Sequence, residues 1–326
     1  MIRAQLFRAD QAPAAADLAD WAALCADDDN LLWVDVVAPT AAELAAVTDR
    51  LHLADVAPRV VEVARHTAPQ PAVRPYPGHY VVTALSVAVD ETQPEPRVDV
   101  VEVDAFVGRN FLVSLHEAPL PFAAALAERA AANRRLGRLG ASYLLYILLD
   151  TLVGQYEGEF REVEAEVEAL EERLLRQPGR GALDRAIVMK RHVADLRHLV
   201  AQHRQAFALL VAADSPVPES PAVAAYLRDL LLRQAGLEER LDHLGTVVIG
   251  SYGLYLTNIA YRTNLQLRVL TFLSAVLLPM TVLTGIFGTN FALAEYARWE
   301  PFYLMLGGLA AITVAMLAFF RWRRWL

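Results

Sequence analysis

Cysteine is nearly absent: Cys25 stands alone in 326 residues. That excludes an internal disulfide framework and a CxxC zinc site. Lysine is scarcer than its usual share, with Lys190 alone against many arginines, which reads as genomic composition bias and not as chemistry. Basic charge does not dominate, since 30 Lys and Arg face 38 Asp and Glu for a net charge of −8. A general nucleic-acid binder would show a dominant basic face, so nucleic acid is not an expected partner. GxGxxG, phosphate-loop and HExxH patterns are missing, and no nucleophile or metal cluster is visible. An enzyme is therefore the least expected class. The opening MIRAQLFRADQAPAAADLADW has no apolar core segment, so no cleaved signal peptide is expected.

What the chain does have is two charge-free apolar runs near its C-terminal end, Val269 to Phe287 and Pro301 to Phe320. Each is about 20 residues, the length a helix needs to cross a roughly 30 Å hydrocarbon core. The short loop between them predicts an antiparallel membrane hairpin. Arg262 and Arg268 precede the first run, Arg321, Arg323 and Arg324 follow the second, and the loop carries Arg298 alone among basic residues. By the positive-inside rule both termini are expected in the cytoplasm and the loop outside. Trp322 and Trp325 suit an interfacial belt. No Asp, Glu or Lys lies inside the runs, so a buried proton relay of the usual kind has no visible residues.

The remainder is expected to be cytoplasmic. Residues 1–118 read as mixed α/β: LLWVDVV, HYVVTALSVAV, VDVVEVDAFVG and NFLVSLH are short β-branched runs bounded by turn residues. PTAAELAAVTDRLHL reads as a helix with Thr40 as N-cap and Glu43 closing a capping box. TAPQPAVRPYPGHY is rich enough in proline to predict a loop. Residues 119–214 predict helices, the acidic YEGEFREVEAEVEALEERL and the basic RGALDRAIVMKRHVADLRHLVAQHRQ folding back on each other as a hairpin laced by surface ion pairs. His192, His198 and His203 miss the i,i+4 spacing of a helical zinc pair and read as solvated. Residues 219–288 predict one long stalk helix that continues into the first span, with 289–300 an external loop, 301–320 the second span and 321–326 a basic tail. Gly245, Gly250 and Gly253 in the stalk suggest close helix–helix approach. Pro279 falls inside the first span, where it is expected to kink the helix without ending it.

A two-helix hairpin cannot enclose a pore, but several copies can. Alternating steps of three and four from Asn264 pass through Leu267, Thr271, Ser274, Leu278, Thr281 and Gly285. This line carries four polar side chains through an otherwise apolar span, while the second span has Thr313 and small residues. Ser and Thr in membrane helices often bond their own backbone, which is the bland alternative. The asymmetry predicts that the first span lines a pore and the second faces lipid.

At the end of that line, GIFGTNF resembles the signature of CorA-type divalent-cation transporters, usually a GIYGMNF-like sequence. Gly285, Ile286, Phe287, Gly288, Asn290 and Phe291 match, and Thr289 replaces the usual Met. RVLTFLSAVLLPMTVLTG, YLRDLL, the WRRWL terminus and WVDVVAPTAAEL are also similar. The resemblance implies an α+β cytoplasmic domain, long helices and a C-terminal hairpin, assembled as a homopentameric funnel in the plasma membrane of a prokaryote. It implies an outer selectivity site at Gly288, Thr289 and Asn290, with Asn290 amides in a ring. Leu267 and Leu278 fall where the family has hydrophobic constrictions. Glu295 and Glu300 in the external loop would concentrate cations, or are simply loop carboxylates. Asp229 matches a stalk residue that binds regulatory Mg²⁺ in some members, although Arg228 beside it offers an ion pair. No tightly bound cofactor is implied; Mg²⁺ or another divalent cation is substrate and possible regulator. The change at Thr289 leaves open Zn²⁺, Co²⁺ or Ni²⁺ transport of the ZntB type, with or without proton coupling. A membrane-anchored oligomeric sensor without transport is the competitor from another class.

Overall fold

The structure is a computed structural model, and it describes residues 1–17, 20–51, 53, 70–90, 97–176, 180–212, 215, 217, 221–288 and 300–323. Two compact units divide the chain, residues 1–251 and 252–326.

The first unit is built on a seven-stranded sheet. Its strands are β1 (Ile2–Arg8), β2 (Ala14–Ala15), β3 (Asn30–Val37), β4 (Ala72–Tyr76), β5 (His79–Asp90), β6 (Arg97–Gly108) and β7 (Phe111–His116). They lie in the order β2-β1-β3-β7-β6-β5-β4. Among the described strands only the central β3–β7 pair is parallel; β5 and β6 form a long antiparallel hairpin. A parallel pair is covered on both faces, and β3 is accordingly buried along almost its whole length. On one face α1 (Trp21–Cys25) and α2 (Ala41–Arg50) cover a core of Trp21, Val34, Val36, Val47, Phe106 and Val113. Thr40 and Glu43 make the full capping box at the start of α2. Of the predicted loop, residues 67–80, positions 67–69 lie outside the described residues, while Ala72–Tyr76 is β4 and His79 opens β5. Pro75 is tolerated there because β4 is an edge strand, whose outer side needs no ladder donor.

The other face carries α3 (Ala123–Ala132), α4 (Leu136–Leu139), α5 (Ala141–Arg176) and α6 (Arg180–Leu210), with α5 and α6 both packed against the sheet. Beyond its pairing with β4, the open edge of β5 is closed by side chains. Leu85 N–H donates to His203 Nε2 at 3.0 Å, Tyr156 donates to the Leu85 carbonyl, and Gln155 donates to the Val87 carbonyl. His203 is thus buried in the core, not solvated, and its Nδ1 bonds the Leu199 carbonyl at 2.8 Å. His192 is partly buried as well, and burial lowers its pKa.

Helix α7 (Pro221–Gly288) begins in this unit. Val223, Leu227, Leu230, Gln234, Leu237, Leu241, Leu244 and Val248 form its buried line, alternating steps of four and three. Gln234 donates to the Val200 carbonyl of α6 at 2.7 Å. The basic helix α6 is shared between two acidic partners: Arg185 meets Glu166 of α5, while Arg197 and Arg204 meet Asp242 and Glu238 of α7. A buried Asp150 on α5 is clasped by Arg129 of α3 and Arg233 of α7, and Arg233 also grips Glu157.

The second unit holds the rest of α7 and α8 (Glu300–Trp322). Both helices are long and apolar enough to cross a membrane. Pro279 lies within α7 and does not end it. Phe272 and Phe320 meet edge to face with ring centroids 5.2 Å apart, so the start of one apolar segment packs on the end of the other, antiparallel.

Candidate functional site

The second unit assigns each residue of the apolar part of α7 to a face. Phe272, Ala275, Val276, Pro279, Met280 and Leu283 are partly buried. On α8 the partly buried positions are Met305, Gly308, Leu309, Ile312, Thr313 and Met316, ending at buried Phe320. Both sets follow the three-and-four step of a helix–helix seam, and the Phe272–Phe320 contact joins them.

Asn264, Leu267, Thr271, Ser274, Leu278, Thr281, Gly285 and Gly288 are all exposed. At 100° per residue they centre about 150° around the helix from the α8-facing stripe. The polar line is thus turned away from the one helix that α7 packs on in this unit. Leu267 and Leu278 are large apolar side chains left 52% and 66% exposed.

Two of the three hydroxyls on the line have a defined direction. Thr271 Oγ1 donates to the Leu267 carbonyl at 2.7 Å, and Thr281 Oγ1 to the Leu277 carbonyl at 2.8 Å. The bland alternative of back-bonding is therefore realised, and it does not oppose a polar lining. A hydroxyl has one proton and two lone pairs. With the proton spent on the backbone, the oxygen presents an acceptor outward, the polarity that suits a cation or the waters around it. Thr313 back-bonds to Leu309 at 2.8 Å from the α7-facing side of α8, so α8 sets no comparable line.

Thr289, Asn290 and Glu295 lie outside the described residues, as does the external loop; Glu300 is the first residue of α8. The site residues on the apolar segment therefore share one face up to Gly288. An added Cβ at Gly285 or Gly288 would meet nothing within 4 Å, so packing among the described residues does not demand a glycine at either position. The same holds for Gly250 and Gly253, while at Gly245 a Cβ would sit 3.7 Å from Val193 in ordinary contact. The close approach suggested by these glycines is thus not made among the described residues at Gly250 or Gly253. Asp229 is exposed on α7 in the first unit. Among the described residues no three or more His, Cys, Asp or Glu side chains gather as a metal cluster.

The step from Asn264 also runs backwards, through Ala260, Thr257 and Gly253, all exposed. Thr257 bonds the Gly253 carbonyl at 2.9 Å in the same fashion as Thr271. These extra positions were readable from the spacing; a search confined to the uncharged run stops short of them.

The chain is similar to several known proteins. A family model described as CorA-like Mg²⁺ transporter protein matches residues 28–324. The cobalt/magnesium transport protein CorA of Thermotoga maritima is 30% identical over 201 residues, 61% of this chain and 57% of that protein, so the matched region spans less than two thirds of that relative. The putative metal ion transporter YfjQ of Bacillus subtilis is 25% identical over 90% of this chain and 89% of its own. Among solved structures, the complete CorA magnesium transporter from Methanocaldococcus jannaschii matches with a TM-score of 0.81 at 17% identity, covering 100% of this chain and 99% of that one. The cytoplasmic domain of ZntB from Vibrio parahaemolyticus matches with a TM-score of 0.59 at 10% identity, over 81% and 98%. At such identities the structural likeness speaks for the fold.

Proposed function

The chain belongs to the CorA-like Mg²⁺ transporter family, and from that premise we propose that it carries a divalent cation, with Mg²⁺ the favoured cargo, into the cytoplasm through a homopentameric path lined by α7. The observation that carries the proposal is the exposed polar line on α7, set away from α8. One chain leaves that line uncovered, and a ring of copies would turn it inward. Cyclic closure is the usual way for identical chains to bury one shared face.

The chemistry suits a hydrated ion. Mg²⁺ gives up water reluctantly, so neutral oxygens can hold it through its first shell. Asn290, with Gly288 and Thr289, would set the outer site; Thr281, Ser274, Thr271 and Asn264 would pass the ion along. Leu278 and Leu267 would narrow the path at two levels, where an apolar ring can close by dewetting. Glu295 and Glu300 would gather cations at the outer mouth, and Asp229 is a weaker candidate for a regulatory Mg²⁺ ligand. With both termini in the cytoplasm of a prokaryote, an interior-negative potential drives a divalent ion inward by about 4.6 kcal/mol per 100 mV.

Purified protein in liposomes with a Mg²⁺-sensitive dye inside should report influx, and Asn290→Ala should reduce it at least about tenfold. Wild-type influx retained by Asn290→Ala would remove the outer site from the proposal. No flux of any divalent ion would instead favour a membrane-anchored sensor. Thr289 in place of Met supports testing Zn²⁺, Co²⁺ and Ni²⁺ alongside, with and without a pH gradient. A pH-dependent Zn²⁺ flux exceeding that of Mg²⁺ would move the protein to the ZntB-like alternative.

A further inference from the structure

The stalk half of α7 carries residues that the proposed ion path does not use. In the first unit, the same alternating step passes through Gly250, Thr246, His243, Glu239 and Gly236, all exposed. They lie about 150° around the helix from the buried line Gln234, Leu237, Leu241, Leu244 and Val248.

The titratable residues of Glu238–His243 sort by face. Glu238 pairs with Arg204 at 3.6 Å. The Arg240 guanidinium lies 4.1 Å over the Phe160 ring and 3.9 Å from Glu164. Asp242 pairs with Arg197. These three bind α7 to α5 and α6. Glu239 and His243 are the remaining two, and they make no ion pair or hydrogen bond with another residue among the described ones. Their i,i+4 spacing puts a carboxylate and an imidazole side by side on the outward face.

We propose that Glu239 and His243 of neighbouring copies form a cation-binding ring on the cytoplasmic side, selective for divalent ions that accept imidazole, namely Zn²⁺, Co²⁺ or Ni²⁺, over Mg²⁺. The ring rests on the oligomeric path proposed above, because one chain supplies two ligands and these ions take four or more. A second copy presenting the same Glu239–His243 pair completes the set. Selectivity follows from ligand type: imidazole suits Zn²⁺ and Ni²⁺, whereas Mg²⁺ demands oxygen ligands and retains its water. The ring is chemically unlike the amide and hydroxyl line of the apolar segment, so the two can be separated by the metal used.

The single cysteine makes the test direct. In a Cys25→Ser background, Thr246→Cys places one thiol a turn from His243 on the same face. Full-length protein in detergent should give multimers with a bifunctional maleimide. Titration with Zn²⁺ and Ni²⁺ should then show binding that weakens at least about tenfold in His243→Ala and measurably in Glu239→Gln. Mg²⁺ influx in liposomes without transition metal should be unchanged in both variants. Cross-linked, Mg²⁺-conducting protein whose Zn²⁺ and Ni²⁺ affinities ignore both substitutions would overturn the ring and leave the ion path standing. Failure of the Thr246→Cys protein to cross-link, together with wild-type protein that conducts no divalent ion, would overturn the path, and the ring with it.

Discussion

His203 has no room for a second proton. Its Nδ1–H is given to the Leu199 carbonyl, and its Nε2 accepts the Leu85 amide at the open edge of β5. Tyr156 and Phe207 close around the ring. Burial pulls its pKa down from 6.5 to about 4. Between those values the unfolded chain binds a proton that the folded chain refuses, so this stabilisation is complete above about pH 6.5 and is lost as pH falls toward 4. The loss is on the order of 3 kcal/mol. Half-buried Glu102 acts in the opposite sense. Burial, aided by neighbouring Asp104, raises its carboxyl to about 7, so its contribution is present at low pH and is lost as pH rises through 7. Being half exposed it counts for less. Glu102→Gln should therefore steepen the fall in thermal midpoint between pH 7 and 4.5, and His203→Gln should flatten or reverse it. Identical pH profiles for both variants would contradict the burial of His203. Thr271 gives a second test at this scale: Thr271→Val keeps the shape but removes the outward oxygen. Divalent-cation influx in liposomes should drop several-fold with no change in fold.

The helices of the first unit are held together by contacts of unequal weight. Asp150, with a side chain 7% exposed, takes Arg129 on one oxygen and Arg233 on the other, and Arg233 holds Glu157 at 2.9 Å. Arg233→Met should cost roughly 1–3 kcal/mol, the range for breaking a buried pair after allowing for an arginine one-third exposed. Arg185→Met, which breaks a half-exposed pair with Glu166, should cost under about 0.5 kcal/mol. Denaturant midpoints would rank the two, and equal costs would show that burial of Asp150 is not what sets the energy. Much of this architecture was legible beforehand. The β-branched runs of β3, β5, β6 and β7, the Thr40–Glu43 cap and the uninterrupted run of α7 all follow local rules. β4 was not legible, because Pro75 reads as loop until the strand is known to be an edge. Neither was the role of His203, since α6 is basic and only tertiary packing distinguishes the one histidine that meets the end of a ladder. The polar line on α7 was visible as spacing; its direction relative to α8 needed the partly buried stripe from Phe272 to Leu283.

At the scale of the whole molecule, the exposed face of α7 makes the strongest demand. It combines large apolar side chains, such as Leu278 at 66% and Leu267 at 52% exposure, with outward hydroxyl oxygens. Lipid would satisfy the leucines but offer nothing to the outward lone pairs of the back-bonded hydroxyls, whereas a water-filled axis shared between copies would serve those lone pairs. The distinction is measurable through subunit mixing. Co-expressed wild-type and Asn290→Ala chains, at equal levels, assemble at random if they form a ring. In a pentamer only about 3% of assemblies then contain five wild-type chains. If the outer site needs every Asn290, influx per chain should fall far below half of wild type, toward that fraction. If each hairpin conducts alone, influx should be one half, in proportion to the wild-type chains present. Varying the expression ratio separates the two without any further variant: a ring gives a steep, fifth-power dependence on wild-type fraction, and independent hairpins give a straight line. A straight line, with both chains shown to reach the same membrane, would refute the shared path and with it the need for α7 to turn its polar face toward other copies.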